Sequence, residues 1–287
     1  MNKTKLAKPA SIALGALALA LGASAAFADD WTSQNFMKPY EETFQINLGG
    51  IVNQFDTSLR LNGQQNQGTD FNLENNGLKK NLSSFEAALQ WRFYQRHRFD
   101  VDYYTVSRSG SHSYTGDIDI GDDNFPAGAT VGMHNKFDLF SLDYRYSFVQ
   151  DPDYELAGIF GFYGGKFTFD VNATGQVGTG AAAVNTTYNN SVSTTLPLPM
   201  LGLSWDWYLN PQMKLSVLGM GMKAKVCSVD GHAYLMNVSG DYMFTRNLGM
   251  GARWAYVDIS ADVDKSSFDG SFGWRANTFS LYGKLLF

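Results

Sequence analysis

The feature that most constrains this chain is a period-two alternation that keeps returning, each time with one apolar face. Phe85, Ala87, Leu89, Trp91 and Phe93 share a face opposite Glu86, Ala88, Gln90 and Arg92. Phe99, Val101 and Tyr103 alternate with Asp100, Asp102 and Tyr104. Phe140, Leu142, Tyr144, Tyr146 and Phe148 oppose Ser141, Asp143, Arg145 and Ser147, and Leu201, Leu203, Trp205, Trp207 and Leu209 oppose Gly202, Ser204, Asp206 and Tyr208. An extended strand sends alternate residues to opposite faces, whereas a helix would scatter Phe85 and Phe93 away from Leu89. The chain reads as strands.

A second regularity is more specific. Four aromatic-rich strand ends run into short polar turns, each followed by a fresh alternating strand. Trp91–Tyr94 turns at Gln95-Arg96-His97, and Tyr146–Phe148 turns at Gln150-Asp151-Pro152-Asp153. Trp207–Leu209 turns at Asn210-Pro211-Gln212, and Tyr242–Phe244 turns at Thr245-Arg246-Asn247. Short turns behind an aromatic girdle mark the periplasmic rim of a bacterial membrane barrel, whose opposite end carries the longer loops. Long polar stretches stand where that scheme puts them, at about Thr57–Lys80, Ser109–Asn135 and Asn172–Ser193. The fourth outer loop is expected to be very short, with Asp230-Gly231 as its tight turn.

These turns predict an all-β fold: a transmembrane antiparallel up-and-down β-barrel of about ten strands, with eight or twelve as the alternatives. The barrel is assigned to residues 42–287, its first strand over Glu42–Asp56 and its last over Phe272–Phe287. A soluble sandwich also alternates, but it has no reason to gather aromatics at every short turn. The low mean hydropathy is no objection, because lipid-facing apolar and lumen-facing polar residues cancel in the average.

The ends agree with export. Lys3, Lys5 and Lys8 precede an apolar run from about Ile12 to Leu21, then Ala26-Phe27-Ala28, the order of a secretory signal cleaved after Ala28. The apolar run, about ten residues, is too short for a spanning helix, which needs about twenty. Residues 1–28 are read as the leader and 29–41 as an N-terminal periplasmic segment. Losing three lysines takes the formal net charge from −5 to −8, and no basic tract remains for nucleic acid. Cys227 is the only cysteine, which rules out an intramolecular disulfide and leaves it as a small filler near a strand end. At the other end Phe279, Leu281, Leu285 and Phe287 share a face. That pattern resembles the signal read by barrel-insertion machinery, which with periplasmic chaperones becomes an expected partner.

The inward face is charged with both signs. Glu86, Arg92, Asp100, Asp102, Asp143, Arg145, Glu155, Asp206, Lys214, Asp241, Arg253 and Lys284 all fall on it and are expected to pair across the lumen. A ten-stranded interior is narrow enough for side chains to fill.

Chemical candidates are few. Asp117-Ile118-Asp119 and Asp230-Gly231-His232 resemble the acidic pair and Asp-x-His of omptin proteases. Three-residue patterns arise easily in loops rich in Asp and Gly, however. His112-Ser113 stands in a polar loop segment, without the lipid-facing frame that a lipid A deacylase of the His-Ser type would need. There is no Gly-x-Ser-x-Gly, His-Glu-x-x-His or phosphate loop. Nothing calls for a cofactor or a metal.

With Tyr94–Asp100, Ser107-Arg108-Ser109-Gly110, Phe125-Pro126-Ala127-Gly128, Tyr144–Phe148 and Leu196-Pro197-Leu198-Pro199 in view, the chain resembles a poorly characterised family of Gram-negative outer-membrane β-barrel proteins, similar in style to small OmpA/OmpX-type barrels. The likeness runs from about Phe44 to Phe287 and implies a fold and a location, not catalytic residues. Where that family carries an acidic run in the first outer loop, this chain has Glu74-Asn75-Asn76, which weakens a divalent-ion role. The expected role is a structural or surface-interaction barrel with a filled lumen. Its outer loops, with Arg60, Lys79, Lys80 and Arg108 at the rim, would meet lipopolysaccharide. The alternatives are a narrow porin-like channel for small solutes and, more remotely, an outer-surface hydrolase.

Overall fold

The computed structural model describes residues 36–62, 70–120, 123–125, 128–177, 184–226, 229–265 and 268–287. The leader over residues 1–28, its cleavage at Ala28, and Cys227 lie outside the described residues.

The described residues form strands and no helix. In chain order they are β1 (Phe44–Leu61), β2 (Phe71–Asn72), β3 (Asn81–Tyr94), β4 (His97–Ser113), β5 (Ile118–Ile120), β6 (Asp123–Phe125) and β7 (Thr130–Gln150). Then follow β8 (Tyr154–Val177), β9 (Val184–Asn210), β10 (Met213–Val226), β11 (Val229–Met243), β12 (Leu248–Lys265) and β13 (Phe268–Leu286). The main sheet runs β13-β12-β11-β10-β9-β8-β7-β4-β3-β1, and β13 pairs back onto β1 from Gln45↔Leu286 to Leu61↔Gly270. Ten antiparallel strands therefore close a ring. β2 adds only a two-residue partner to the outer end of β1, and β5–β6 is a separate hairpin. Closure matters because an open sheet edge in hydrocarbon would leave unpaired N–H and C=O groups.

The alternation is seated as its pattern demands. Phe85, Leu201 and Leu203 are each more than 60% exposed on the outer wall, beside Leu89, Phe140, Phe160, Phe162, Phe279 and Leu281. The rings cluster at the short turns: Trp205 stacks on Trp207 with centroids 6.0 Å apart, Phe93 on Phe99 at 5.1 Å, and Tyr242 meets Phe244 at 5.5 Å. Such a band is costly in water and favourable in lipid. Leu203→Arg is accordingly expected to lose about 2–4 kcal/mol of folding stability in a bilayer, the effect of an arginine near the midplane. On a water-facing surface the change would be within about 0.5 kcal/mol. Denaturant titration in vesicles distinguishes the two.

Three sequence expectations shift. The strands run well past the membrane, so that β4, β7, β8 and β9 take in much of the stretches read as outer loops. Asp230-Gly231 is not a turn: Asp230 pairs with Lys225 and Gly231 with Ala224 inside the β10–β11 ladder, which extends out to Val226↔Val229. The loop is as short as expected, but the ladder runs further out than turn chemistry alone suggested. Finally, Arg108 is not at the lipid rim but inside the barrel, its side chain 0% exposed.

Candidate functional site

The lumen is built in three levels. At the periplasmic level, charges pair across the ring. Arg92 on β3 places Nη1 3.0 Å from Oε1 of Glu155 on β8, and Nη2 3.3 Å from Glu42. Arg98 on β4 lies 3.4 Å from Asp100, 3.6 Å from Glu155 and 3.5 Å from Asp206 on β9. Lys284 of β13 reaches Asp241 of β11 at 2.6 Å, with Lys214 3.7 Å from the same carboxylate and the Tyr282 hydroxyl donating to it at 2.8 Å. Arg253 of β12 bridges Glu86 at 2.9 Å and Asp102 at 3.8 Å, and Arg145 pairs with Asp100. Partners from non-adjacent strands cross-link the wall, and each offsets the desolvation that burial imposes on the other. Below them the N-terminal segment folds over the mouth. The Tyr40 hydroxyl donates to the carbonyls of Asp151 and Tyr154 at 2.5 and 3.0 Å, and its ring lies under the Arg92 guanidinium.

The outer level is apolar. Phe137 on β7 is wholly buried; its ring meets Phe167 at 5.0 Å, Phe169 at 5.6 Å, Trp274 at 5.3 Å and Phe272 at 6.2 Å. Trp274 and Phe272 belong to β13, which the ring separates from β7 by β1, β3 and β4 on its shorter side. The aromatic contact therefore spans the lumen. The first outer loop seals it further by burying Phe71, Leu73 and Leu78 against Phe55, Leu59 and Val106. Glu74 holds that loop down: it pairs with Arg108 and accepts from Thr57 N at 2.6 Å, while Arg108 donates to Thr57 Oγ1 at 2.9 Å and covers the Phe55 ring. Gly110 and Gly77 let the two backbones touch, since a Cβ on either would strike the other segment's backbone. Asn75 and Asn76 bond back to Asn72, so the polar run closes its own turn.

Between the two levels is a chamber of about 200 Å³. Trp274, Phe167 and Leu139 line it on one side, and Asp143, Arg145 and Arg253 on the other. Tyr163 donates to Asp143 Oδ2 at 3.3 Å. Asp143 Oδ1, Trp274 Nε1 and Ser280 Oγ are buried and carry no hydrogen bond among the described residues.

Of the twelve charged residues placed inward by register and expected to pair, eleven enter ion pairs among the described residues, while Asp143 lines the chamber with the Tyr163 hydroxyl as its donor instead of a cation. Glu42, Arg98, Tyr40 and Tyr282 join them, from outside the set that the sequence predicts. Arg98 was readable by carrying the β4 alternation two residues back from Asp100. The chemical candidates are dispersed. Asp230 lies 3.6 Å from Lys225, and His232 Nε2 lies 3.8 Å from Asp258 with its ring against Tyr234. Asp119 of the acidic pair has no described side chain. His112 packs on Tyr114, while Ser113 bonds Thr130 at 2.8 Å. No cluster of three metal-ligating side chains occurs among the described residues.

No protein-family model matches the chain, and no curated protein matches it by sequence. Among solved structures it is similar to the outer membrane protease OmpT from Escherichia coli, with a TM-score of 0.56, 12% identity, and coverage of 89% of this chain and 100% of that one. The fold is that of an outer-membrane β-barrel. OprG from Pseudomonas aeruginosa (TM-score 0.38, 11% identity, 88% of this chain and 98% of that one) is a more distant match. So is Ail of Yersinia pestis (TM-score 0.31, 11% identity, 86% and 99%). With its own lipid-facing belt and short-turn girdle, this outer-membrane barrel sits in the bilayer that such single-chain barrels span.

Proposed function

We propose that this outer-membrane barrel serves as a closed wall and surface protein and not as a pore. The observation that carries the reading is the contact of Phe137 with Trp274 and Phe272 across the lumen. An ion would have to displace packed rings there, and then cross a layer of paired charges. Small barrels of about this size are filled by side chains, whereas aqueous channels belong to larger ones. Above the belt, Lys136, Lys166 and Lys223 stand on outward positions of β7, β8 and β10 (their alternation follows Phe140, Phe162 and Gly221). Lysines at that height suit the phosphates of lipopolysaccharide, and the polar outer strands suit partners beyond it. Planar-bilayer recording of the refolded protein tests the closed lumen, with no unitary conductance expected.

A further inference from the structure

Among the described residues the wall's ladders stop short of the outer end at two places, between β3 and β4 above Glu86↔Tyr104 and between β9 and β10, and only the second gap is flanked by residues without an N–H. β9 and β10 pair from Met213↔Asn210 up to Gly221↔Leu201, and there the ladder stops. Residues 222–226 of β10 go on pairing with β11, and residues 196–200 of β9 go on pairing with β8, but not with each other. The cause is chemical. Tyr208 N donates to Asp153 O on the β8 side, and the β8–β9 register is unbroken from Trp207 outward. Since successive residues of a strand turn their N–H groups to opposite neighbours, the odd positions of β9 face β10. Positions 197 and 199 are prolines, which have no N–H to give. Two consecutive donors are missing from the β10 side where the pairing ends. The level is the outer edge of the belt: Pro199 pairs with Phe162 and Pro197 with Gly164. Leu198, between the prolines, lines the chamber together with Leu218 of β10.

The chamber has two faces and unused polar atoms. Asp143 is 2% exposed with one carboxylate oxygen unbonded. Gly161 leaves room for it, because a Cβ there would collide with that oxygen. Around it Asp100 is taken by Arg145, and Glu86 and Asp102 by Arg253, so Asp143 is the carboxylate left over. Opposite lie the indole of Trp274 and the ring of Phe167. An apolar cavity of about 150 Å³ accepts a benzene ring, so about 200 Å³ accepts a ring with a short substituent.

We infer that the chamber binds a small single-ring molecule carrying a hydrogen-bond-donating amine, which comes in from the outer leaflet through the unpaired wall between β9 and β10. The ring packs on Trp274 and Phe167, and the amine donates to Asp143. The route goes through the wall because both ends of the lumen are filled. This inference goes beyond the closed-lumen reading, since binding needs no axial passage.

The test uses fluorobenzylamine with the refolded protein in lipid nanodiscs, read by 19F line broadening, with fluorobenzoate as the comparator. Saturable binding of the amine is expected, with the benzoate at least about tenfold weaker because its carboxylate meets another. Asp143→Leu should weaken the amine by about tenfold or more. Ala255→Phe fills the chamber from β12 without touching the acid and should abolish binding. Pro197→Thr/Pro199→Thr restores the two donors and should slow exchange about tenfold at unchanged affinity. Equal binding of amine and benzoate, or no effect of Asp143→Leu and Ala255→Phe in folded protein, overturns the site. Unchanged exchange in the double-proline variant overturns the route. A conducting pore that still binds the amine would sink the closed-lumen reading alone.

Discussion

Arg98→Met is expected to cost about 3–5 kcal/mol of unfolding free energy, the cost of breaking a buried ion pair by removing one partner. Arg98 is 4% exposed and answers carboxylates on β4, β8 and β9. Methionine keeps much of the volume, so the loss isolates charge. Asp206 would then face Lys214 across β9–β10 without its guanidinium, and Glu155 would keep Arg92 with the neutral donors Ser147 and Gln150. Arg98→Lys should lose less, since a single ammonium supplies the charge but cannot span three acceptors with a planar fork. Urea unfolding of the refolded protein in micelles, followed by the mobility difference between unboiled and boiled samples, gives the values. A loss below about 0.5 kcal/mol for Arg98→Met, the range of an ordinary surface change, would mean the layer adds nothing to stability.

Phe137→Ala is expected to cost a similar amount, about 3–5 kcal/mol, through lost burial and the cavity left behind. Phe140→Ala, three residues on, should cost markedly less. Phe140 is 48% exposed on the lipid face, whereas Phe137 is the hub of the outer aromatic cluster. Replacing a ring that lipid can backfill leaves no cavity. The same denaturant titration compares the pair, and equal losses would place Phe137 outside any packed plug.

That pair also shows what was legible in the sequence. The apolar phase of Phe140, Leu142, Phe160, Phe162, Phe279 and Leu281 gave the lipid face, the short turns gave the register, and ten strands followed from counting them. The closure of the outer lumen was written in the same residues but in the opposite phase. On β7 the apolar positions pass from Val131, Met133 and Phe137 inward to Phe140 and Leu142 outward. On β8 they pass from Phe160 and Phe162 outward to Phe167 and Phe169 inward, and on β13 from Phe272 and Trp274 inward to Phe279 and Leu281 outward. Each change of phase marks the height at which lipid gives way to water and the apolar side must turn inside. Averaging the alternation over a whole strand hides it. Glu74 and Arg108 were harder still: they lie 34 positions apart on a loop and a strand, and no local pattern joins them. The ladder stop between β9 and β10 needed the hydrogen-bond phase, which two prolines alone do not give.

The closed lumen is the claim on which the rest depends, and single-channel recording tests it most directly. Purified protein refolded into a planar bilayer should give a baseline without unitary steps across the usual voltage range, because packed rings and paired charges lie in series. Reproducible steps whose size changes with Asp143→Asn or Arg145→Gln would show that ions pass those side chains, and would contradict it.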